Sequence, residues 1–410
     1  MRCVDPMKDI YAVAIVGGGF SGVVSAISLG GYFGGKNIAL IERKDRIGKK
    51  ILATGNGRGN LSNTDLTERH YHSSSWANVK DIIEKYGSGS LVDFFSSLGV
   101  DHSVEDGRIY PASMQASSVL DMMRLKLSEL KVKESVGVDC KDISFKDGVF
   151  KLSCEGETFF AEKVVLCCGG KAGSQYGTDG TSYRLAQNFG HTLTALRPAI
   201  VQIRTDNRLI RGLKGLKQNA CVKVVKNGEE AARFTGDLLF TDYGVSGNSA
   251  FYLSSYIDQD SGRYLSIDFA PEKSRERLTE FLTRKAALGY IGKDDALTGV
   301  LNKQIGRAVV KYAGISKFDK FSVPEIVSAI KDFRLEVTGT QGFDSAQVTK
   351  GGIRADEVDS KTFESKKRKG LYIVGEMLDV DGDCGGYNLQ WAYSSAMSAC
   401  EEIKRNDKNR

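Results

Sequence analysis

The stretch "DIYAVAIVGGGFSG", Asp9–Gly22, reads as a buried strand that runs into a glycine-rich turn. "SGVVSAISLGG" continues it as a short helix ending at glycine, and "KNIALIE" comes next as a second buried strand. Strand, helix and strand in so short a span make a βαβ unit, whose strands are parallel. Within the turn, Gly17, Gly19 and Gly22 stand in a G-x-G-x-x-G spacing, with Phe20 and Ser21 between the last two. Gly17 permits a tight turn, Gly19 lets a pyrophosphate approach the backbone, and Gly22 lets helix and strand pack closely. The helix N-terminus adds free N–H groups and a positive dipole end for an anion. Glu42 ends the second strand 20 residues after Gly22, where a carboxylate accepts from ribose hydroxyls. The first sixty residues therefore predict a dinucleotide site.

The residues after Glu42 bear on which dinucleotide is held. "RKDRIGKKILATGNGRGNLSN" is a glycine- and base-rich loop, with no further clean strand–helix repeat. FAD is longer than one mononucleotide half can hold, so other segments must reach its flavin end. Arg43, Lys49, Lys50, Gly55, Asn56, Gly57, Arg58 and Asn60 are the candidates in this loop for phosphate and flavin edges. A solvated basic loop is the competing reading for the charged members. A third glycine-ended strand, "VVLCCGG", brings Gly169 and Gly170 toward a ligand and leaves Cys167 and Cys168 on opposite strand faces as core residues.

Composition narrows the class. The chain has 410 residues, 41% hydrophobic and 26% charged, enough for two or three ordinary globular domains. Glycine is abundant at 46 residues and proline scarce at 5, which suggests close backbone approaches rather than linkers. A net charge of +6 suits anionic cofactors and is too mild for a nucleic-acid stripe. No run approaches the ~18 apolar residues of a membrane helix, and no signal-peptide core is present, so a cytoplasmic protein is expected, with Met7 an alternative start. The eight cysteines include no C-x-x-C pair, and His70–His72 leaves a metal site incomplete, so no metal is expected.

Further along, helices are predicted over Trp76–Tyr86, Ser90–Leu98 and Ser117–Leu130, then a β-meander over 143–168 turning at Asp147-Gly148 and Glu155-Gly156. After Gly190 the pattern becomes strand-like, with Asn227-Gly228 a hairpin turn. Charged helical segments occupy 272–287 and 323–332. Three regions are expected: a first part of a dinucleotide domain, 1–190; an inserted barrel with a helical subdomain, 191–345 (helical about 271–332); and a return to the first domain, 346–410.

The most specific stretch is "GLYIVGEMLDVDGDCGGYNLQWAYSS", Gly370–Ser395, in which a helix opens at Tyr387 or Asn388 behind two glycines. With "IVGGGFSG", "GRIYP", "GTDGTSYRLAQNFGH", "GDLLFTDYGVSGNSA" and "VTKGGI", it resembles the YhiN-type NAD(P)/FAD-dependent oxidoreductases over nearly the whole chain. The resemblance implies an α/β fold, an FAD-binding Rossmann-like (two-dinucleotide-binding) domain with an inserted β-barrel and helical subdomain. It implies non-covalent FAD, with Gly375 and Glu376 at the ribityl–pyrophosphate region and Asp383 beside the flavin. Gly385 and Gly386 would open a helix toward the pyrimidine edge, with Asn388 and Leu389 just inside it. The sequence departs from the family at Asn248, where a proline is usual, in the proline-free 168–180 loop, and at Ala396.

No second G-x-G-x-x-G has the right flanks, so no dedicated nicotinamide domain is expected, and electrons come from NAD(P)H visiting as a transient donor, from another donor, or from the substrate itself. The resemblance implies hydride transfer through the flavin to or from a small organic substrate, by reduction of a conjugated C=C bond or by amine oxidation. A flavin-dependent RNA-modifying enzyme and a non-catalytic FAD redox sensor stay open as alternatives. For an acid or base near the flavin, Tyr243 and Tyr387 are the leading candidates, with Asp242, Arg58 and His191 behind them. His191 reads first as a helix-end residue, and the basic run Arg204–Lys217 reads first as a solvated loop rather than a site that attracts an anion.

Overall fold

A computed structural model describes residues 10–75, 78–257 and 263–408. The alternative start Met7 and the expected helix start Trp76 lie outside them. The chain divides into two compact units, one of residues up to Arg197 together with Gln347 onward, the other Pro198–Ala346. Residues 191–197 stay with the first unit because they are tied into it: Thr192 N–H donates to Glu357, 2.7 Å, and Thr194 N–H to the Gly352 carbonyl, 2.9 Å.

The first unit opens with β1 (Ile10–Val16), α1 (Phe20–Phe33) and β2 (Ile38–Glu42), the βαβ element expected. Short strands β3 (Ser62–Asn63) and β4 (Tyr71–His72) precede α2 (Val79–Lys85) and α3 (Ser88–Ser97). Then come β5 (His102–Glu105), β6 (Arg108–Pro111), α4 (Ala116–Leu130) and β7 (Lys133–Val136). The meander is β8 (Cys140–Lys146), β9 (Val149–Cys154) and β10 (Thr158–Leu166), and α5 (Tyr183–Gln187) comes after it. β11 (Arg197–Ala199) lies at the boundary.

The second unit holds β12 (Ile203–Thr205), β13 (Lys217–Lys226), β14 (Glu229–Phe240), β15 (Gly244–Ser246), α6 (Asn248–Leu253), β16 (Arg263–Asp268), α7 (Arg275–Ala286), α8 (Lys303–Ala313), α9 (Val323–Lys331) and β17 (Phe333–Thr340). Six of its strands close a barrel in the order β12-β15-β14-β13-β16-β17. The hairpin turns at Asn227-Gly228, with Lys226 opposite Glu229. Local chemistry starts the helices: Ser274 accepts from Arg277 N–H at 3.2 Å, Asn302 from Gln304 N–H at 3.0 Å, and Pro324 occupies the first turn of α9. The apolar faces of these helices pack on the barrel strands through residues such as Leu282, Val309, Ile330 and Phe333.

The chain then returns to the first unit with β18 (Val348–Lys350), β19 (Leu371–Ile373), β20 (Asp381–Gly382) and α10 (Tyr387–Lys408). The main sheet runs β7-β2-β1-β10-β9-β8, and β19 also pairs with β10. β10 is long enough to divide one edge. Its first half pairs antiparallel with β9 and its second half parallel with β19, while β1 pairs parallel along the other edge. The paired segments Val13–Val16, Ile38–Ile41, Val164–Leu166 and Leu371–Ile373 are apolar and buried, as parallel strands covered on both faces are. α1 packs against α4 and α10, so the first and last helices of the unit share a layer.

Leu166 is fully buried and pairs with Val16 on one side and Ile373 on the other. Leu166→Ala should lower the unfolding free energy by about 2–5 kcal/mol. Urea unfolding checks this, and a loss under about 1 kcal/mol would contradict the placement of β10 at the centre.

Candidate functional site

The G-x-G-x-x-G turn is built as its spacing requires. Gly17 has φ +107°, and a Cβ there would lie 2.5 Å from the Cys167 carbonyl oxygen. A Cβ on Gly22 would lie 1.8 Å from the Gly17 carbonyl oxygen, so strand and helix meet only because both are glycine. Gly19, by contrast, has nothing within 4 Å of its Cβ position. It is the N-cap of α1, no side chain caps that end, and no acid stands in the first turn. The helix therefore presents backbone N–H groups to open space, the geometry an anion fills. Phe20 points inward and stacks on Phe95, so its part in the turn is its backbone; Ser21 is buried against Gly375.

Glu42 sits beside this turn. Its Oε2 accepts from Gly18 N–H and its Oε1 from Lys44 N–H, each at 2.7 Å. Burial raises its pKa against the lowering by those two N–H groups. Each oxygen keeps a second lone pair for a ribose hydroxyl.

The basic candidates are mostly held by protein. Arg43 reaches Asp139 at 3.1 Å and Asp179 at 2.8 Å, tying the end of β2 to the 177–181 loop. Lys49 pairs with Asp45. Arg58 pairs with Glu105 and lies over the Tyr110 ring, 4.4 Å from its centroid. Lys50 donates to Glu376 at 2.7 Å, and the same carboxylate accepts from Thr349 N–H at 2.9 Å. Two residues expected at the cofactor are thus each other's partner. Gly170 serves the same junction: a Cβ there would lie 2.4 Å from Thr349 Oγ1 and 2.9 Å from Glu376 Oε1, so its close approach is to protein. Gly169, Gly55, Asn56 and Gly57 hold left-handed turns on either side.

β10 ends at Leu166, which changes the reading of the two cysteines. They do not alternate across a strand. Both thiols reach the Val16 carbonyl, Cys167 at 3.3 Å and Cys168 at 3.2 Å. Burial pushes both pKa values up, that of Cys168 to about 12, so these are unreactive packing residues.

The C-terminal loop is fastened from several directions. Gly386 has φ +100°, and a Cβ there would lie 2.4 Å from the Ser62 carbonyl oxygen. The Asn60 amide bridges the gap, its nitrogen to Ser62 O at 3.0 Å and its oxygen to Gly386 N–H at 3.1 Å. Asn63 donates to the Gly385 carbonyl at 3.0 Å. Asn388 brackets Gly382, accepting from its N–H at 2.8 Å and donating to its carbonyl at 2.7 Å. Leu389 packs on the core. Gly375 donates to Ser395 Oγ at 3.0 Å and accepts from Trp391 Nε1 at 3.3 Å, joining β19 to α10. Asn60 and Gly386, Gly375 and Ser21 thus bring the N-terminal loops and the start of α10 into one neighbourhood.

Sequence spacing gave no sign of the group at Asp383. His70 Nδ1 lies 2.9 Å from Asp383 Oδ2 and His72 Nε2 lies 2.8 Å from Oδ1. The "HYH" motif thus clasps one carboxylate that is 5% exposed. The hydrogen bond to Asp383 raises the His72 pKa. The His70 ring stacks on Tyr387, centroids 4.3 Å apart and planes at 18°. Tyr387 is buried, and burial with the Asp65 and Asp383 charges lifts its pKa to about 12. At neutral pH it is an un-ionised phenol. Next to this group stands Asp381, 1% exposed, with neither carboxylate oxygen hydrogen-bonded. Burial raises its pKa to about 7. Lys350 on β18 and His72 on β4 pull it down, while Asp379 and Asp383 push it up.

The remaining candidates belong to other segments of the chain. His191 is buried, 2.7 Å from Ser365 Oγ and 3.2 Å from Glu357, and burial lowers its pKa. It locks the 357–365 segment. Tyr243 belongs to the barrel unit, in the turn between β14 and β15, where its carbonyl accepts from Thr205 N–H at 3.1 Å. Asp242 in the same turn pairs with Lys214. Of the basic run, Arg208 pairs with Asp206, and Lys217 with Asp237.

An uncapped glycine-opened α1, a carboxylate at the end of β2 and a second glycine-opened helix fastened beside it fit FAD. The fold and site define a flavoprotein oxidoreductase with an FAD-binding Rossmann-type domain. A family model described as the HI0933-like protein Rossmann domain matches residues 11–402, and the chain belongs to that family. The resemblance read from the motifs holds. The chain is 36% identical over 398 residues to the 3-dehydro-bile acid delta(4,6)-reductase of Clostridium scindens, covering 94% of this chain and 97% of that protein. It is 27% identical over 399 residues to the ribosomal RNA dihydrouridine synthase of Escherichia coli, covering 96% and 98%. Among solved structures, the 3-ketosteroid delta1-dehydrogenase from Sterolibacterium denitrificans shares the fold, with TM-score 0.53 and 13% identity over 97% of this chain and 100% of that one. No helix among the described residues is long and apolar enough to cross a membrane.

Gly22→Ala should release FAD, because the added methyl must displace the Gly17 carbonyl; the ratio of flavin to protein absorbance should fall at least tenfold. For Asp381, a pKa raised on folding means that its share of stability is present below the usual carboxylate range and is lost as pH rises to about 7. Asp381→Asn should therefore gain more over wild type at pH 8 than at pH 5, by about 2 kcal/mol. Denaturant unfolding at the two pH values checks this, and equal gains would contradict it.

Proposed function

We propose that this flavoprotein reduces a carbonyl-conjugated C=C bond of a small organic acid of the steroid class, with NAD(P)H as electron donor. The observation that carries this is the 36% identity, over nearly the full length of both chains, to a protein named as a delta(4,6)-reductase of a 3-dehydro bile acid. FAD, when bound, supplies hydride transfer at its N5 position. The chain's own residues do the rest. Gly19 and the first turn of α1 receive the pyrophosphate, Glu42 accepts from the ribose, and the Lys50–Glu376 pair with Thr349 fixes the crossing between β10 and β19. Gly385, Gly386 and Asn388 hold the start of α10 at the flavin end, where a helix N-terminus stabilises negative charge by roughly 0.3–1 kcal/mol. Tyr387, fixed by stacking on His70, offers a neutral O–H donor.

A second reading, reduction of the corresponding bond of uracil in RNA, is favoured by the 27% identity to ribosomal RNA dihydrouridine synthases. It shares the chemistry and differs in the size of the substrate. The net charge of +6 supports the small-molecule reading.

Anaerobic mixing separates these readings. NADPH or NADH should bleach the yellow protein, and a 3-keto-Δ4 steroid acid should restore the colour with consumption of one equivalent. Reoxidation by unmodified ribosomal RNA and not by the steroid acid would favour the second reading. Bleaching of the oxidised protein by an amine would instead indicate amine oxidation. A protein that no donor bleaches would be a sensor and not an enzyme.

A further inference from the structure

Three carboxylates are buried within five residues, Asp379, Asp381 and Asp383, and the protein treats them differently. Asp379 accepts from Ser74 N–H at 3.1 Å and Ser74 Oγ at 2.6 Å. Asp383 is clasped by His70 and His72, and its own N–H donates to the His70 carbonyl at 2.9 Å. Both are fully employed in holding the loop. Asp381 has no hydrogen bond on either oxygen although it is 1% exposed. A buried carboxyl left so costs stability unless it is protonated or meets a ligand. Unsatisfied groups of this kind collect at functional sites.

Its position is the second observation. Asp381 pairs in register with His72 on β4, and β20 also lies against β18, which carries Lys350. Asp381 immediately precedes the Gly382–Gly386 turn that opens α10. It therefore stands at the loop that holds the proposed flavin end.

Saturating a carbonyl-conjugated C=C bond needs a hydride at the β-carbon and a proton at the α-carbon. We propose that Asp381 is the acid that delivers this proton, an inference that rests on the proposed reductase activity. As hydride reaches the β-carbon, the π electrons move toward the carbonyl and leave an enolate. The Asp381 O–H bond breaks, its proton forms the new C–H bond at the α-carbon, and a carboxylate remains. Water returns the proton, and reduced nicotinamide supplies the two electrons spent in each turnover. The same acid serves a steroid enone and a uracil ring alike. The groups facing it are His72, Lys350, Asp379 and Asp383, and with burial dominant its carboxyl stays largely protonated up to about pH 7.

The test uses FAD-loaded wild type and Asp381→Asn under anaerobic conditions, with the two half-reactions timed separately. Bleaching by NADPH should agree within about twofold. Reoxidation by the 3-keto-Δ4 steroid acid should slow by on the order of 10²-fold or more in the variant. In wild type that rate should fall as pH rises above about 7. Infrared difference spectra of wild type should show a protonated carboxyl that titrates near neutral pH and is missing from the variant. Equal reoxidation rates overturn the proposal and leave the reductase reading intact. A wild-type protein that neither a steroid enone nor RNA reoxidises overturns both. If the variant loses FAD, the wild-type infrared titration still decides, because absence of a protonated carboxyl at neutral pH overturns the proposal.

Discussion

The parallel pairing of β10 with both β1 and β19 is the constraint on which the site depends. Val16, Leu166 and Ile373 stand side by side across three strands drawn from the beginning, the middle and the end of the chain. Each strand runs out at the same edge of the sheet into a glycine: Gly17 after β1, Gly169 after β10, Gly375 after β19. In open α/β sheets the ligand lies beyond the carboxyl ends of the strands. The pairing thus places three glycine turns where one extended nucleotide can run past all of them.

The fastening around that edge is polar and long-range. Lys50 meets Glu376, Asn60 meets Gly386, Ser62 meets Gln390 at 2.5 Å, and the two histidines of β4 and its approach meet Asp383. These contacts make the loop after β20 a rigid part of the first unit. Buried polar groups that are fully satisfied specify one arrangement. Against that background Asp381 stands out, with neither carboxylate oxygen hydrogen-bonded.

What could be read from the sequence was what repeats locally. The strand, the G-x-G-x-x-G turn and the carboxylate ending β2 announce themselves within 34 residues, Asp9–Glu42. Asn227-Gly228 fixed its hairpin, and two glycines marked the start of α10 at Tyr387. What was hidden is what joins residues far apart. Nothing in "HYH" says that both rings close on an aspartate more than 300 positions later, and the basic loop after Glu42 gave no hint that Arg43, Lys49, Lys50 and Arg58 all have acidic protein partners. Cys167 and Cys168 were misplaced because the strand stops at Leu166, before the alternation could apply to them.

The central proposal is that the two ends of the chain, paired through β10, hold one FAD between them. Titrating FAD into protein stripped of flavin, with calorimetry and the visible spectrum as readouts, measures this directly. Saturation at one FAD per chain is the expected result. A folded protein that takes up none would contradict it.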